Sequence, residues 1–186
     1  MSRFFITDSP LIGLKSLKRK RLGDHRGFLE RLFCAEELIA LGWHDPISQI
    51  NLTRTLEKGT VRGLHFQYPP YTEMKLVTCI RGEAWDVAVD LRQGSPTFLK
   101  WHAEILSEEN GKALLIPEGF AHGFQTLTDN VELIYCHSRA YTPNAEAGIN
   151  PCDSKLSIKW PHSIQSISER DNAHTEIDEK FKGIRI

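Results

Sequence analysis

The sequence predicts an all-β protein, an antiparallel jelly-roll barrel with a few short helices, and three observations support this fold class. Apolar residues recur mainly with a period of two rather than 3.6. Turn signals such as Asn110-Gly111 and Pro117-Glu118-Gly119 separate the apolar segments at short intervals. Helical periodicity is scarce. Many short strands with regular turns between them are typical of sandwiches and barrels.

The strand with the clearest alternation covers residues 84–91. Trp85 and Val87 lie on one face, whereas small or acidic residues, including Asp86 and Asp90, lie on the other. This alternation predicts a strand that is buried on one face only. Further strands are predicted over residues 28–34, 75–80, 113–116 and 131–136.

Helical structure is predicted in few places. Residues 35–41 are the best helix candidate. The polar segment from Ser166 onward is expected to form a short helix or an ordered strap. Basic residues cluster between Lys15 and Arg21, and we interpret them as a solvated strand edge, because lysines discourage pairing with other sheets. A phosphate-binding patch is the alternative interpretation.

Length and composition restrict the function classes. The chain has 186 residues, of which 40% are hydrophobic, so one domain spanning residues 1–186 is expected. A net charge of −1 argues against a general nucleic-acid binder, and no apolar run approaches the ~20 residues of a membrane helix. The chain starts without an apolar signal segment, and its four cysteines form no C-x-x-C pair. We therefore expect a cytoplasmic protein.

One segment resembles a motif of the cupin superfamily. The spacing Gly111-x5-Pro117-x-Gly119-x2-His122 matches its second motif, whereas the first motif is only half present, with Phe66-Gln67 where a second histidine ligand would stand. A metal site formed by His65, Glu73 and His122 is therefore one alternative. The missing histidine favours a site without metal.

A longer pattern is more specific. It combines residues 62–67 (RGLHFQ), 75–77 (KLV), 86–97 and 116–124 (IPEGFAHGF) with Trp160-Pro161. With this pattern the chain closely resembles the dTDP-4-dehydrorhamnose 3,5-epimerase family from about residue 24 to residue 171. The resemblance implies a cupin-fold isomerase of deoxysugar and O-antigen (lipopolysaccharide) biosynthesis. The expected reaction is inversion of carbon 3, and in the double epimerases of carbon 5 as well, of a nucleotide-linked 4-keto-6-deoxy sugar without metal or redox cofactor. It also implies a homodimer with exchanged N-terminal strands.

The resemblance assigns four catalytic roles. His65 is the expected base, because an imidazole titrates close to neutral pH, and Asp171 is its expected partner. Tyr135 matches the family's proton donor, and Lys75 matches the group that stabilises the enolate oxygen. The residues alone favour a surface acid for Asp171. They are equally consistent with a core aromatic at Tyr135, and a solvent-facing strand lysine is the alternative for Lys75.

Substrate-binding residues are implied by the same matching. Arg26 and Arg62 look like phosphate contacts, because a planar guanidinium suits two oxygens. Tyr141 matches the residue that stacks on the base. The remaining matched positions are Gln49, Asn51, His122, Glu146 and Arg170.

One departure from the family pattern concerns the sugar carrier. Rhamnose-pathway members commonly carry a ligand-contacting glutamate five positions after the motif arginine. Counted from Arg26, that position is Arg31, and Glu30 comes one residue early. This departure leaves open a 3-epimerase only, acting on a CDP-linked sugar. Two separate alternatives are a metal-dependent cupin and a sugar-binding module without activity.

Overall fold

The computed structural model describes residues 2–186, and antiparallel strands dominate it. In chain order the strands are β1 (Phe4–Asp8), β2 (Lys15–Arg19), β3 (Leu22–Asp24), β4 (Gly27–Leu29), β5 (Gln49–Thr55), β6 (Thr60–Gln67), β7 (Lys75–Arg81), β8 (Glu83–Asp90), β9 (Trp101–Ser107), β10 (Lys112–Ile116), β11 (Phe120–Thr126), β12 (Val131–His137), β13 (Glu146–Gly148) and β14 (Ser166–Ile167). The helices are α1 (Ala35–Leu38), which a 3-10 turn (Ile39–Leu41) continues, and α2 (Glu169–Asn172).

Two sheets form the walls of a barrel. The first sheet has the order β1-β2-β10-β7-β12-β5, and the second has the order β13-β6-β11-β8-β9. Strands pair antiparallel throughout both orders, and β14 joins β6 in parallel. The predicted all-β, cupin-like jelly-roll class is confirmed. Among residues 2–186, no helix has the length and apolar character needed to cross a bilayer.

Buried apolar side chains form three clusters. The central cluster lies between the sheets and includes Val77, Leu114 and Phe124. A second cluster covers the outer side of the second sheet, and a third, around Trp43, covers the outer side of the first sheet. One end of the space between the sheets is left for polar side chains.

Strand β8 is buried on both faces, so the prediction of a half-buried strand is wrong. Ala84 and Ala88 face the central cluster, whereas Val87 and Val89 pack in the second cluster with side chains from the C-terminal third of the chain, among them Leu156. The C-terminal third of the chain therefore covers the outer face of β8, which would otherwise be exposed to solvent. Asp86 therefore lies in the protein interior, with no exposed surface.

Two further predictions about the N-terminal region are wrong. The strand expected over residues 28–34 is limited to β4, because the chain leaves the β3–β4 hairpin at Glu30, whose carboxylate pairs with Arg19 (3.1 Å) and Arg21 (2.9 Å). The basic run does not form a sheet edge, because β2 pairs with β1 on one side and β10 on the other. By contrast, the short helix over residues 35–41 and the mixed strand-and-helix tail are confirmed.

Candidate functional site

A cavity of about 870 Å³ opens between the two sheets, and residues of both sheets and of α2 line it. Its lining includes all of the candidate residues except Arg26. These are Gln49, Asn51, Arg62, His65, Lys75, His122, Tyr135, Tyr141, Glu146, Arg170 and Asp171. Side chains far apart in sequence therefore meet at one site.

On the second sheet, His65 and Asp171 form a hydrogen-bonded pair. His65 Nε2 lies 2.8 Å from Asp171 Oδ1, and Asp171 Oδ2 accepts the Gly63 N–H at 3.0 Å. Because the carboxylate fixes the hydrogen on Nε2, Nδ1 is left as the basic nitrogen of a neutral ring. Arg170 Nη2 also lies 3.2 Å from His65 Nε2.

Asp171 reaches the barrel because α2 begins at a capped turn. The Ser168 side chain accepts the Asp171 N–H at 3.0 Å, which is the usual function of an N-cap serine. Burial alone would raise the pKa of Asp171, but hydrogen bonds from His65 and from the Gly63 amide outweigh burial and hold the pKa well below its usual range. Asp171 therefore stays ionised beside the imidazole.

The opposite wall, formed by the first sheet, carries Tyr135 and Lys75. Tyr135 lies deep in the cavity, and its burial raises the pKa of the phenol well above the ordinary value, so the hydroxyl is protonated at neutral pH. Thr53 Oγ1 donates to the Tyr135 oxygen over 3.5 Å. Lys75 Nζ lies 3.2 Å from Glu73 Oε1 and donates to the His65 carbonyl oxygen at 3.4 Å. The two walls thus present a base and an acid to the same space.

A second histidine–carboxylate pair lies between the walls. His122 faces His65 across the β6–β11 ladder, and His122 Nε2 lies 2.9 Å from Asp86 Oδ2. The His122 ring meets the Tyr135 ring edge to face at a centroid distance of 5.7 Å. Burial raises the pKa of Asp86 above its usual value. This pair fixes the position of an imidazole next to the phenol.

The mouth of the cavity is polar and more exposed. The Tyr141 hydroxyl donates to Glu146 Oε2 at 2.8 Å, and Glu146 also pairs with Arg170 at 3.3 Å. Gln49 Oε1 accepts the Tyr141 N–H at 2.9 Å, and the Gln49 amide donates to Asn51 at 3.0 Å. An aromatic ring and a guanidinium at an open rim suit a base and a phosphate.

Arg26 does not line this cavity within its own chain, so its predicted contact with the substrate stays a prediction. It lies at the exposed turn between β3 and β4 and pairs with Asp24 at 2.6 Å. Neither Glu30 nor Arg31 lines the cavity: Glu30 pairs with the arginines of β2 and its flank, and Arg31 pairs with Glu37. The hairpin therefore carries these side chains away from the site.

The structure does not bring together the three residues of the alternative metal site, His65, Glu73 and His122. His65 pairs with Asp171 and His122 with Asp86, whereas Glu73 pairs with His137 Nδ1 at 2.8 Å. Within residues 2–186, one group of three His, Cys, Asp or Glu residues has its possible ligand atoms within 4.8 Å of one another. This group consists of His65, Asp171 and His174.

The sequence reasoning missed His137 as a cavity residue. It lines the cavity together with Glu73, and its ring stacks on Tyr135 at a centroid distance of 6.1 Å. A signal was present: His137 lies two residues after Tyr135 on the same strand, and side chains at this spacing point to the same face.

Comparison with known proteins gives consistent matches. The family model for dTDP-4-dehydrorhamnose 3,5-epimerase matches residues 8–179. A dTDP-4-dehydrorhamnose 3,5-epimerase of Shigella flexneri is 44% identical over 155 residues, covering 82% of this chain and 84% of the relative. A dTDP-4-dehydro-6-deoxyglucose 3-epimerase of Streptomyces bikiniensis is 37% identical over 155 residues, covering 82% and 79%. The solved dTDP-6-deoxy-D-glucose-3,5-epimerase of Legionella pneumophila Philadelphia 1, in complex with dTDP-4-keto-L-rhamnose, has a TM-score of 0.91 and 39% identity, covering 98% of each chain.

Proposed function

We propose that this chain inverts carbon 3 of a dTDP-linked 4-keto-6-deoxyhexose. The chain belongs to the dTDP-4-dehydrorhamnose 3,5-epimerase family and is therefore a sugar epimerase. The observation that carries the mechanism is the placement of His65 on one barrel wall and Tyr135 on the other, both lining one cavity. Inversion next to a ketone requires a base on one face of the carbon and an acid on the opposite face.

In the first step, His65 removes the hydrogen from carbon 3. The C–H bond breaks, its electron pair forms the C3=C4 bond of an enolate, and the proton goes to the free ring nitrogen, Nδ1. Asp171 stabilises the resulting imidazolium, because its carboxylate is ionised and lies 2.8 Å from Nε2. Lys75 stabilises the negative charge on the enolate oxygen, and this charge pairing is strong because the ammonium is largely withdrawn from water.

In the second step, Tyr135 donates its hydroxyl proton to carbon 3 from the other face. A new C–H bond forms from the enolate electron pair, the ketone returns, and the phenolate later regains a proton from solvent. The raised pKa of Tyr135 keeps the proton in place until a strongly basic carbon accepts it.

Proton exchange in heavy water tests this reaction. The protein is incubated in D₂O with dTDP-linked 4-keto-6-deoxyglucose and, separately, with the CDP-linked sugar, and the deuterons in each product are counted by mass spectrometry and located by NMR. We expect deuterium at carbon 3 of the dTDP-linked sugar; deuterium at carbon 5 as well identifies a 3,5-epimerase. Exchange with the CDP-linked sugar alone contradicts the proposed carrier, and tight binding without exchange identifies a binding module.

We also propose a homodimer with exchanged N-terminal strands. In the structure β1 and β2 pair within their own chain, but both edges of the first sheet expose apolar side chains: Phe5 on β1, and Ile50 and Leu52 on β5. Apolar edge strands favour pairing with another copy. Light scattering should give twice the 21.2 kDa chain mass, and Leu52→Glu should lower it. A monomeric wild type contradicts the dimer.

In the proposed dimer, Arg26 can contact the substrate bound to the partner subunit, although it does not line the cavity of its own chain. Its guanidinium is exposed at the hairpin tip, beside exposed Phe28 and Leu29, where it is available to a phosphate in the partner's cavity. Arg26→Ala should then raise KM with little change in kcat. We place the protein in the cytoplasm, because its free cysteines, including exposed Cys152, suit a reducing compartment.

A further inference from the structure

Glu73 and His137 line the cavity, and the mechanism above gives them no role. Their side chains are 8% and 12% exposed, and the Glu73 carboxylate lies 2.8 Å from His137 Nδ1. Glu73 also lies 3.2 Å from Lys75 Nζ. A single buried carboxylate therefore holds two cavity side chains from neighbouring strands, since Lys75 and His137 face each other in the β7–β12 ladder.

The charge of Glu73 determines the tautomer of His137. Burial alone would raise the pKa of Glu73, but the Lys75 ammonium and the His137 ring outweigh burial and keep the pKa below its usual value. Ionised Glu73 only accepts hydrogen bonds, so His137 Nδ1 carries the hydrogen. In the neutral imidazole, Nε2 then holds a lone pair.

Among residues 2–186, the lone pair of His137 Nε2 accepts only one weak hydrogen bond. Its contact is the Asn51 amide nitrogen at 3.5 Å, at the outer limit of a hydrogen bond. The His137 ring is fixed from a second side by stacking on Tyr135. The pair thus builds an oriented acceptor into the wall beside the proton donor and the ammonium.

We propose that His137, oriented by Glu73, accepts a hydrogen bond from a ring hydroxyl of the hexose and so helps to determine which sugar is accepted. This inference rests on the proposed function, because it takes the deep end beside Tyr135 and Lys75 as the sugar subsite. The nucleotide then lies toward the exposed mouth, around Tyr141 and Arg170. Glu73 is a positioning residue that acts through His137 and Lys75.

Substitution of His137 by leucine and by glutamine tests the proposal. His137→Leu removes the acceptor, so KM for the dTDP-linked 4-keto sugar should rise about 10- to 100-fold with a smaller change in kcat. His137→Gln restores a carbonyl acceptor and should recover most of the loss. The Kd for dTDP alone, measured by calorimetry, should stay within about twofold in both variants. His44→Leu, an exposed histidine outside the cavity, is the matched control.

Glu73 variants give a second readout that a purely structural role would not produce. Glu73→Gln keeps an acceptor for His137 Nδ1 and should retain more activity than Glu73→Leu, which should raise KM and lower kcat together because Lys75 also loses its anchor. An unchanged KM in His137→Leu, or an equal loss of dTDP affinity, overturns the proposal. Because dTDP binding is measured without turnover, failure of the epimerase assignment is recognised separately by the absence of exchange in the wild type.

Discussion

Replacing Asp171 by asparagine changes one oxygen to an amide group and should reverse the tautomer of His65. Asparagine offers one carbonyl acceptor, whereas Asp171 accepts from both His65 Nε2 and the Gly63 N–H. The Gly63 N–H donates to Oδ2 at 3.0 Å and Arg170 Nε donates to Oδ1 at 3.3 Å. Because the Gly63 contact is the shorter of the two and is buried, we expect the carbonyl oxygen of asparagine to face Gly63 and the amide nitrogen to face His65. Nε2 then becomes the acceptor, and the hydrogen moves to Nδ1, the nitrogen that the reaction needs as base.

The reversed tautomer of His65 sets the expected loss of activity. We expect kcat to fall about 10⁴-fold, as for the same acid-to-amide change behind the catalytic histidine of serine proteases. The free energy of unfolding should fall by about 1–3 kcal/mol, because charge-assisted hydrogen bonds become neutral ones. Steady-state kinetics and solvent-exchange NMR measure the first effect, and denaturant unfolding measures the second.

Asp153→Asn is the matched control for this substitution. Asp153 is also buried, and its carboxylate accepts the N–H groups of Leu156 (2.9 Å) and Ile177 (2.5 Å) outside the cavity. It should lose at least as much stability, because one of the two N–H groups is left facing the amide nitrogen, and it should keep kcat within about twofold, because the change lies outside the cavity. An Asp171→Asn enzyme with wild-type kcat would refute the role of the dyad.

Three further predictions concern the acid, the pH dependence and the scaffold. Tyr135→Phe should keep solvent exchange at carbon 3, because the base is intact, while product inversion measured by NMR falls about 10²- to 10⁴-fold; loss of both contradicts separate acid and base roles. Because the pKa of Asp171 is lower in the folded state than in the unfolded state, its ionised carboxylate stabilises the fold at pH values above the unfolded pKa of about 3.9. The difference in free energy of unfolding between wild type and Asp171→Asn should therefore be constant near neutrality and shrink as the pH falls below about 4. A difference that grows on acidification contradicts this prediction. Asp90→Ala should lower the free energy of unfolding by about 2–4 kcal/mol in a urea titration, because the buried carboxylate accepts from Ser95 and Thr97 at 2.6 Å each; a loss below about 0.5 kcal/mol contradicts the network.

The strands could be predicted from the sequence because their signal is local. Alternation over residues 84–91 and 131–136 gives β8 and β12 within a residue or so of their observed ends. Burial could not be predicted in the same way. The outer face of β8 is covered by a segment that begins some sixty residues later, and alternation within a strand does not reveal what packs against it.

The candidate site shows the same division. His65 stands out as a polar residue among apolar strand residues, which the local pattern reveals, whereas Tyr135 fits a core aromatic equally well. Asp171 lies on a short helix in a polar tail, so only the family resemblance identified it. The position of Arg26 outside the cavity of its own chain could not be predicted, because a hairpin of three-residue strands can project away from the barrel, and sequence spacing does not fix its direction.

Solvent deuterium at carbon 3 in the His65→Asn variant tests the two-sided proton transfer most directly. The wild type should release product with one deuterium at carbon 3. The variant should bind dTDP and incorporate none above the uncatalysed background, because the base that removes the carbon 3 hydrogen has been replaced by an amide. Exchange by His65→Asn at the wild-type rate would show that a different residue removes the hydrogen.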